Sequence, residues 1–594
     1  MALKSKYADV SIPETLSWPE FVFRDFEKYG NQTAIICGAT KREYTFSQVR
    51  DLSRRVASAL SKRGLRKGNV VALFAPNVPE FPIVFLGALQ IGAVVTGVNP
   101  FFTTEELTNQ LEAADAVCII TVHQLEHRAK EAAKKLGIDH MFVLGDDVED
   151  GYDLVSILFN DDGSSLPHVT FNPKEDLAIL PYSSGTSGLP KCAMVTHYNL
   201  VALGCIATAQ GFMDFKQITT EQKNSTTLAF VPFHRPFGLI AVLSLSLQQG
   251  SCLVSVPRFE QNRIFNLLQD YKVTLLVTEA SVVHLLSIHP AVNNTDLSSL
   301  AEVISTSSLL SKETSKSVRK RLPHLKRINQ CYGMTENTAL SHMTPSLEER
   351  HGSVGVLLPN LECKVCDVST GQVLGAGERG EICVKGPTMM KGYLNDRDAS
   401  QQIIDGEGWL HTGDLGYYDQ DEHFFIVDKL KDLIKFRGDQ VSPSELEVLL
   451  KTHPAVFDAA VIGFPDPEVG ELPTAFVVSM NEEDLTEMEV IQYVDENAAT
   501  HKKLRGGVVF INSIPRSEEG EILRTELRDK MIQGKYKPVQ MRRGSLFGTE
   551  ENKRFSIMRN SLPMTRNLPR NNETILEEES DQLQVPRSKS CVIL

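Results

Sequence analysis

The sequence is poor in cysteine, and its cysteines follow no regular spacing. Ten cysteines are scattered over 594 residues, and only Cys363 and Cys366 form a C-x-x-C pair. No second pair and no nearby histidine cluster completes a zinc site around them. A chain of this length can bury a sizeable core without crosslinks, so we expect reduced thiols that lie mostly in the core. The pattern therefore argues against a disulfide framework.

Long apolar runs and an excess of basic residues are also absent. The N-terminus shows no basic segment followed by an apolar one, and no run approaches about 18 apolar residues, so neither a signal peptide nor a membrane-spanning helix is expected. With 61 Lys and Arg against 75 Asp and Glu, the formal net charge is −14, which argues against a nucleic-acid-binding protein. These absences predict a protein of the cytosolic side.

What the sequence does contain is typical of a globular protein with two or more domains. Hydrophobic residues make up 42% and charged residues 23% of the chain. Thr45 and Gln48 have the spacing of a capping box, and apolar residues follow at helical spacing. A strand is predicted over 69–75, a helix over 81–89 and a strand over 117–122. This alternation continues to about residue 331 and predicts an α/β fold with mostly parallel sheets.

The most informative stretch is Pro-Tyr-Ser-Ser-Gly-Thr-Ser-Gly-Leu-Pro-Lys at residues 181–191. It follows an apolar run at 177–180, which predicts a buried strand. Glycines let backbone N–H groups approach an anion, hydroxyls add donors and Lys191 adds a full positive charge, so the loop is predicted to bind phosphate. Pro190 excludes the P-loop pattern, which requires glycine before the lysine. A flexible Ser/Gly surface turn is the alternative. It is disfavoured because all eleven positions fit the pattern in order and follow a predicted buried strand.

The loop and four later motifs resemble those of the adenylate-forming superfamily, which includes acyl-CoA synthetases, coumarate-CoA ligases and firefly luciferase. The later motifs lie at 330–336, 409–414, 424–431 and 515–524, and the resemblance extends over about 44–530. It implies a large N-terminal AMP-binding domain (1–428) of βαβ-type sheets with a β-barrel-like part, and a small mobile α+β C-terminal domain (429–535). Residues 536–594, rich in Arg, Asn, Ser and Pro, are predicted to form a disordered tail.

The resemblance implies ATP, Mg²⁺ and coenzyme A as ligands and assigns roles to single residues. Tyr332 would stack on adenine, Thr335 would contact phosphate, and Glu336 would bind the metal. Asp414 would accept hydrogen bonds from both ribose hydroxyls, and Lys429 stands where the family has a ribose-binding arginine. Without the other motifs, Thr335-Glu336 would indicate a helix start, and Lys429, Lys431 and Lys435 a solvated basic face. The nucleotide-binding set implied is Ser183, Ser184, Gly185, Thr186, Ser187, Gly188, Lys191, Tyr332, Gly333, Thr335, Asp414, Lys429 and Gln440.

The segment at 231–239 resembles the family's acyl-pocket motif, with one difference. The family histidine falls on Arg235, and His234 lies one place earlier. Either the segment is shifted or an arginine faces the acid, and His234 is equally well explained as a partly buried loop histidine. The acyl pocket implied is Phe237, Gly238, Ala241 and Gly333, whose three small members indicate room for a long or bulky tail. The implied catalytic set is Lys191, His234, Arg235, Thr335, Glu336 and Lys435, with Lys431 as the hinge and Gly438, Gly506 and Gly507 beside CoA.

Two motifs depart from the family pattern. The turn at 305–310 lacks the family's glycine and proline, and Glu521 occupies the position of the adenylating lysine. Three hypotheses follow. The first is an ATP-dependent acid–CoA ligase that activates a fatty or aryl carboxylic acid as its adenylate. The second is an adenylation-impaired member that acts as a ligand-binding or regulatory protein at a membrane. The third is a luciferase-like oxygenase, which nothing in the sequence requires. Pyrophosphate exchange beside an ATP-binding assay discriminates the first two.

The tail carries two modification patterns. Ser545 follows Arg542 and Arg543, a hypothetical site for a basic-directed kinase, although such short patterns usually occur by chance. The chain ends in Cys591-Val592-Ile593-Leu594, a C-a-a-X box whose final leucine favours geranylgeranylation. The expected partners are a prenyltransferase and a membrane surface, at the cytoplasmic face of an intracellular membrane. The alternative location is the cytosol, and the peroxisomal tripeptide found in many relatives is missing.

Replacing Cys591 by serine should move the protein from the membrane to the soluble fraction. A single prenyl chain binds membranes weakly and reversibly, and Arg587 and Lys589 add little charge, so attachment depends on the lipid. Fractionation of cells that express each form tests this expectation. A wild type that is wholly soluble and carries no isoprenoid by mass spectrometry would refute it.

Overall fold

The computed structural model describes most of the chain up to Tyr536. The described residues are 2–144, 153–154, 158–183, 191–209, 212–213, 225–258, 260–306, 310–345, 350–437, 439–480, 485–517 and 520–536, all within the unit Met1–Val539. The predictions for Ser184, Gly185, Thr186, Ser187, Gly188, Gly438, Ser545 and Cys591 lie outside them. Within the described ranges, every helix is too short or too polar to span a bilayer.

Seven of the described strands form a mostly parallel sheet. Val70–Phe74 is buried along its whole length, as expected for a parallel strand covered on both faces. In spatial order the strands are Val195–Thr196, Leu177–Ile179, Val94–Val98, Val70–Phe74, Ala116–Val122, His140–Leu144 and Asp153–Leu154, and only the first is antiparallel to its neighbour. The helices Phe46–Lys62, Phe81–Gln90, Thr104–Ala113 and Glu126–Leu136 alternate with these strands along the chain. The predicted βαβ alternation is confirmed, and Thr45 and Gln48 form the predicted capping box.

Nine of the described strands form a second sheet, with a parallel centre and antiparallel edges. Their order is Val356–Leu357, His342–Met343, Arg327–Tyr332, Glu302–Thr306, Leu275–Glu279, Thr226–Ala229, Cys252–Ser255, Thr33–Cys37 and Glu43–Thr45. The other helices that the structure describes before residue 330 are Trp18–Phe23, Phe26–Tyr29, His197–Ala207, Leu245–Gln248, Gln261–Asp270, Ala280–Ile288 and Lys312–Arg321, with a π-helix at Phe237–Ser244. The parallel strands of this sheet end at one edge, as do those of the first, and the site residues follow several of these ends.

Five of the described strands form an antiparallel sheet, separate from the two βαβ-type sheets. Their order is Leu3–Lys4, Glu362–Cys366, Gly380–Lys385, Leu410–Tyr418 and Phe424–Lys429, and the helix Arg397–Ile403 lies between the third and fourth in sequence. All nine described cysteines are free thiols and seven are buried, as predicted. Cys363 and Cys366 lie on opposite faces of their strand, because side chains alternate along a strand. Their C-x-x-C spacing therefore does not bring the two thiols together.

The described residues after 429 form a small α+β domain. The strands are Asp439–Val441, Ile434–Phe436, Gly470–Ser479 and Val456–Asp466 in spatial order, and Gly507–Phe510 pairs in parallel with Gly470–Ser479. The helices are Pro443–Lys451, Glu487–Asn497 and Arg524–Ile532. The short 3₁₀ turns among the described residues are His123–Leu125, Pro290–Asn293, Thr335–Asn337, Leu430–Asp432 and Thr500–Lys502. The predicted α/β class, with a large and a small domain, is confirmed. The domain boundaries stay a prediction. At the start of the predicted tail, the Tyr536 ring packs on Phe476.

Asp428, three residues before the predicted hinge residue Lys431, contacts both domains. Its backbone lies in the strand Phe424–Lys429, which pairs with the large-domain strand Leu410–Tyr418. Its Oδ2 accepts hydrogen bonds from the Ser442 hydroxyl at 2.6 Å and the Ser444 N–H at 3.0 Å. Ser442 in turn caps the small-domain helix Pro443–Lys451. One carboxylate thus ties the last strand of the large domain to the first helix of the small one.

Candidate active site

Lys191 is the last residue of the predicted phosphate loop and begins the strand that follows it. The two-residue strands Tyr182–Ser183 and Lys191–Cys192 pair in antiparallel register, with Ser183 opposite Lys191. The loop between them therefore begins and ends at one place. The Lys191 ammonium lies 3.4 Å from Oδ2 of Asp396 and 5.3 Å from the centre of the Tyr393 ring. These contacts hold its positive charge at the base of the loop.

Glu336 and Lys191 both contact Tyr393. Glu336 belongs to the 3₁₀ turn Thr335–Asn337, which follows the strand Arg327–Tyr332, and it is 2% exposed. The Tyr393 hydroxyl donates to Glu336 Oε1 at 2.7 Å, while Lys191 lies over the same ring. Burial and the carboxylate of Glu336 raise the pKa of Tyr393, so its hydroxyl keeps the proton that it donates. A buried carboxylate beside a phosphate loop is a fitting hard ligand for Mg²⁺.

Asp414 and Tyr332 are brought together from strands of two different sheets. The Tyr332 hydroxyl donates to Asp414 Oδ2 at 2.6 Å. The Thr412 hydroxyl accepts the Asp414 N–H at 3.1 Å and donates to the Ile382 carbonyl at 2.7 Å, which fixes the backbone at Asp414. An aromatic ring next to a diol-binding carboxylate matches the adenine and ribose roles implied by the resemblance, although the roles themselves stay predictions.

Burial raises the pKa of Asp414 to about 6, even though the Tyr332 hydrogen bond and the charge of Lys429 act in the opposite direction. The carboxylate therefore takes up a proton as the pH falls through about 6 and loses one acceptor for the ribose diol.

Well above pH 6, Asp414→Asn should weaken ATP binding by about tenfold, the equivalent of one charged hydrogen bond. Well below pH 6, the wild type is also neutral at this position, so the two dissociation constants should converge. Fluorescence titration at several pH values measures the dissociation constant of ATP for the variant and for the wild type. In the ratio of the two constants, the protonation of ATP itself cancels. A ratio that does not change with pH would refute the prediction.

Glu521, in place of the family's lysine, reaches this pocket from the small domain. Arg516 and Ile522 form an isolated bridge, and the Ser517 N–H donates to the Glu521 carbonyl at 2.8 Å, which fixes the backbone at Glu521. Gly520 has φ +76°, and a Cβ placed on it would lie 3.2 Å from Oε2 of Glu279, at the end of a large-domain strand. The small domain therefore presents Glu521 to the large domain.

The partner of Glu521 is Lys429, at 2.6 Å between Oε1 and Nζ. Burial acts to raise the pKa of Glu521, but the charges of Lys429, Lys431 and Arg235 lower it below its usual value. Glu521 is thus an anion in a cluster of cations. The other bases that could replace the missing lysine have partners elsewhere: Arg516 pairs with Asp458, Arg524 with Glu447 and Lys530 with Glu526.

The segment with His234 and Arg235 is fixed from below by one buried amide. Asn77 Nδ2 donates to the carbonyls of Ala229 and Val231 at 3.1 and 2.9 Å, and Asn77 Oδ1 accepts the Phe233 N–H at 2.8 Å. Gly97 packs against the His234 backbone, where an added Cβ would lie 2.7 Å from both its Cα and its carbonyl oxygen. Burial, and secondarily Arg235, lowers the pKa of His234 to about 3, so the imidazole is neutral at physiological pH.

The small residues of the predicted acyl pocket have a packing explanation. A Cβ on Gly238 would lie 2.0 Å from the Pro232 carbonyl oxygen, and one on Gly333 would lie 2.1 Å from that of Ala339. Phe237, Gly238 and Ala241 belong to the π-helix Phe237–Ser244. The inference that the two glycines leave room for a long tail is wrong, because the missing side chains point at neighbouring backbone. Whether these residues line an acyl pocket stays a prediction.

Of the predicted small-domain residues, Lys431 lies near the pair of Lys429 and Glu521, and the others lie on other elements. Lys435 and Gln440 face each other across the hairpin Ile434–Phe436 and Asp439–Val441, and both are exposed. Lys431 lies in the 3₁₀ turn Leu430–Asp432. Gly506 packs on Thr474, whose Oγ would lie 1.9 Å from an added Cβ, and Gly507 has φ +88°. Their roles in the hinge and beside CoA stay predictions.

Sequence reasoning missed Tyr393, Asp396 and Asn77. Tyr393 and Asp396 contact the predicted lysine and glutamate, and Asn77 positions the histidine segment. A single tyrosine, aspartate or asparagine in a loop forms no pattern that points to a site. Only the position of Tyr393 and Asp396 in the stretch 386–396, which ends before the helix Arg397–Ile403, could have drawn attention to them.

Comparisons with known proteins agree with this geometry. The family model "AMP-binding enzyme" matches residues 22–394, and the model "AMP-binding enzyme C-terminal domain" matches residues 445–521. A curated relative, 4-coumarate–CoA ligase 1 of Petroselinum crispum, is 38% identical over 539 residues, which cover 90% of this chain and 97% of the relative. A probable 4-coumarate–CoA ligase 1 of Dictyostelium discoideum is 36% identical over 88% of this chain and 97% of its own length.

Solved structures give the same result. An anthranilate CoA ligase, AuaEII, in complex with anthranoyl-AMP has a TM-score of 0.80 at 25% identity, covering 88% of this chain and 99% of that one. ATP-bound MatB of Rhodopseudomonas palustris has a TM-score of 0.77 at 26% identity, covering 87% and 99%. The chain belongs to the AMP-binding enzyme family, the adenylate-forming superfamily.

Proposed function

We propose that this protein activates an aromatic carboxylic acid with ATP and transfers the acyl group to coenzyme A. The protein is an AMP-forming acid–CoA ligase by family, and the finer proposal concerns its acid. The match to this chain covers almost the whole length of a relative that is named a 4-coumarate–CoA ligase, and a structural neighbour is named for anthranilate. Both names are those of aryl acids, which supports an aryl substrate over a fatty one.

The observation that carries the proposal is the convergence of two pairs at one edge of the large domain. Lys191 and Glu336 share Tyr393, and Tyr332 donates to Asp414. The first pair offers a cation and a carboxylate to the phosphates, and the second offers a ring and a diol acceptor to the nucleoside. An arrangement of this kind would hold a nucleoside triphosphate in one orientation, with its phosphates toward Lys191 and its nucleoside toward Tyr332.

The chemistry requires an acid anion to attack the α-phosphate of a polyanion. Lys191 would neutralise charge that grows on the phosphate oxygens as the carboxylate adds and pyrophosphate leaves. Glu336 would hold Mg²⁺, which supplies further positive charge on these oxygens. Asp414 would fix the ribose and thereby the direction of attack. The CoA thiol then displaces AMP from the acyl carbon, which yields the thioester.

The ion pair of Glu521 with Lys429 is the one observation that favours slow adenylation. Glu521 brings negative charge to a position where the family places a lysine, and it also neutralises Lys429. The protein therefore forms the adenylate slowly and transfers the acyl group at a rate nearer to that of its relatives. The comparisons lend no support to a purely regulatory member without ligase activity.

Pyrophosphate exchange with a panel of acids tests the proposal. The panel holds 4-coumarate, benzoate, anthranilate and saturated fatty acids of several lengths, and ATP binding is measured beside it. We expect exchange and thioester formation with one or more aryl acids, both of which Glu336→Gln should abolish. Exchange with fatty acids alone would overturn the choice of substrate. ATP binding without exchange or thioester for any acid would overturn the ligase proposal in favour of a regulatory protein.

A further inference from the structure

A second cluster of reactive side chains lies on the antiparallel sheet of the large domain. Cys366 lies opposite Glu381 in the register of Glu362–Cys366 with Gly380–Lys385, and Cys383 lies opposite His411 on the next strand. Because side chains alternate along a strand, Glu381 and Cys383 share one face, and their cross-strand partners lie on that face too. Sheet register alone thus assembles a carboxylate, a thiol and an imidazole from positions 30 residues apart.

The donor atoms of Glu381, Cys383 and His411 all lie within 4.8 Å of one another. The Cys383 Sγ lies 3.5 Å from the His411 Nδ1, and that nitrogen lies 2.8 Å from the Glu381 Oε2. Tetrahedral zinc, with bonds of about 2.3 Å to sulfur and about 2.0–2.1 Å to nitrogen or oxygen, sets such pairs roughly 3.3–3.6 Å apart. The sulfur–nitrogen pair already has this spacing, and the nitrogen–oxygen pair reaches it after a shift of about half an ångström.

The surroundings provide the outer contacts that a metal-binding histidine requires. The His411 Nε2 lies 3.6 Å from the Asp405 Oδ2, so a carboxylate faces the ring nitrogen that would not bind metal. Asp405 is itself held, since its Oδ1 accepts the Glu407 and Trp409 N–H groups at 2.9 Å each. The other oxygen of Glu381, Oε1, accepts the Gly413 N–H at 3.1 Å, which fixes this carboxylate as well.

Burial and charge define what the cluster can accept. Cys383 is fully buried and packs with Cys366 and Trp409, whereas the His411 side chain is 34% exposed, so a fourth position can open to solvent. The neighbouring charges are mixed. Glu381 and Asp405 are acidic, and Lys364 lies 4.0 Å from Asp405 and over the Trp409 ring. A set of one sulfur, one nitrogen and one oxygen suits a borderline-soft dication and disfavours Mg²⁺.

We propose that Glu381, Cys383 and His411 form a binding site for a divalent transition-metal ion, Zn²⁺ above all, separate from the nucleotide site. Cys383 binds through its thiolate, and its proton passes to solvent. His411 binds through Nδ1 while Asp405 orients the ring, and Glu381 binds through Oε2. Water completes the coordination. The site stabilises the strands Gly380–Lys385 and Leu410–Tyr418, the second of which also carries Asp414.

Equilibrium dialysis of the full chain against Zn²⁺, followed by elemental analysis, tests the proposal. Metal-free wild type should bind one Zn²⁺ per chain, and excess Mg²⁺ should not displace it. Cys383→Ser and His411→Gln should each weaken binding by about tenfold or more, as loss of a ligand does more than loss of an outer contact. Cys205→Ser and His123→Gln, a thiol and an imidazole elsewhere in the described chain, are the matched controls and should bind as the wild type does. Equal binding by the wild type and both ligand variants would overturn the proposal.

Cobalt replaces zinc with a spectrum that reports the ligands, so it gives a second readout independent of activity. Wild type with Co²⁺ should show a thiolate-to-metal absorption band in the near ultraviolet, which Cys383→Ser lacks. If Cys383→Ser fails to fold by circular dichroism, Glu381→Gln takes its place, since its amide oxygen still accepts the Gly413 N–H, and it should bind Zn²⁺ about tenfold more weakly. A wild-type cobalt complex without the thiolate band would overturn the assignment of Cys383.

Discussion

Replacing Glu521 by lysine should raise the rate of acyl-adenylate formation by about tenfold or more. Loss of one preorganised donor to a developing oxyanion typically costs about 10²–10³ in rate, and tenfold is a conservative part of that effect. The substitution removes a carboxylate that repels the α-phosphate and frees Lys429 from its ion pair. It also adds a donor at position 521, next to Gly520, which lies close to Glu279 of the large domain.

Separate assays of the two half-reactions check this prediction. Pyrophosphate exchange reports adenylation, and thioester formation from a supplied acyl-adenylate reports transfer, which should change far less. Glu526→Lys is the matched control, because it makes the same charge change on the adjoining helix Arg524–Ile532, where Glu526 pairs with Lys530. Brisk adenylation by the wild type that Glu521→Lys leaves unchanged would show that another residue supplies the donor.

Arg524→Met should destabilise the small domain by about 3–5 kcal/mol, the usual cost of leaving one member of a buried ion pair alone. The side chains of Arg524 and Glu447 are 12% and 9% exposed, and they pair directly. Arg524 also donates to the Val461 carbonyl at 3.0 Å, and Glu447 accepts the Val461 N–H at 2.8 Å. The pair therefore joins two helices to the strand Val456–Asp466. The variant leaves the Glu447 carboxylate buried without the guanidinium group of Arg524.

Hydrogen exchange of the small-domain amides, together with denaturant unfolding, measures the loss. Lys530→Met on the same helix removes a lysine from an exposed pair with Glu526 and should change stability little. Arg524→Met combined with Glu447→Gln removes both charges and should recover part of the loss. Equal stability of Arg524→Met and Lys530→Met would contradict the prediction.

Local patterns predicted much of the fold. The capping box at Thr45 and Gln48 marks the start of the helix Phe46–Lys62, and the apolar stretch at 69–75 corresponds to the strand Val70–Phe74. Both features depend on neighbours a few residues away, so the sequence contains the whole signal.

The site was predictable only where one motif supplies one residue. Tyr332 and Asp414 come from recognisable motifs, and the structure brings them into contact. The pair of Lys429 and Glu521 was not predictable, because the two residues are 92 positions apart and meet only through the arrangement of two domains. The cluster of Cys383 and His411 escaped for a similar reason: strand register brings it together, and the C-x-x-C pair that attracted attention points to opposite faces.

The two hydrogen bonds of Asp428 connect the large and the small domain in the orientation that the structure shows. Rotation about the predicted hinge leaves its backbone in a strand of the large domain while Ser442 and Ser444 move with the small one. The carboxylate must therefore release both donors or turn with them, and either change adds to the barrier between the two orientations. A side chain that bonds to the first turn of a helix thus also opposes the rotation of the small domain. If the two half-reactions use two orientations of the small domain, as the resemblance implies, we expect Asp428 to influence the speed of the change between them.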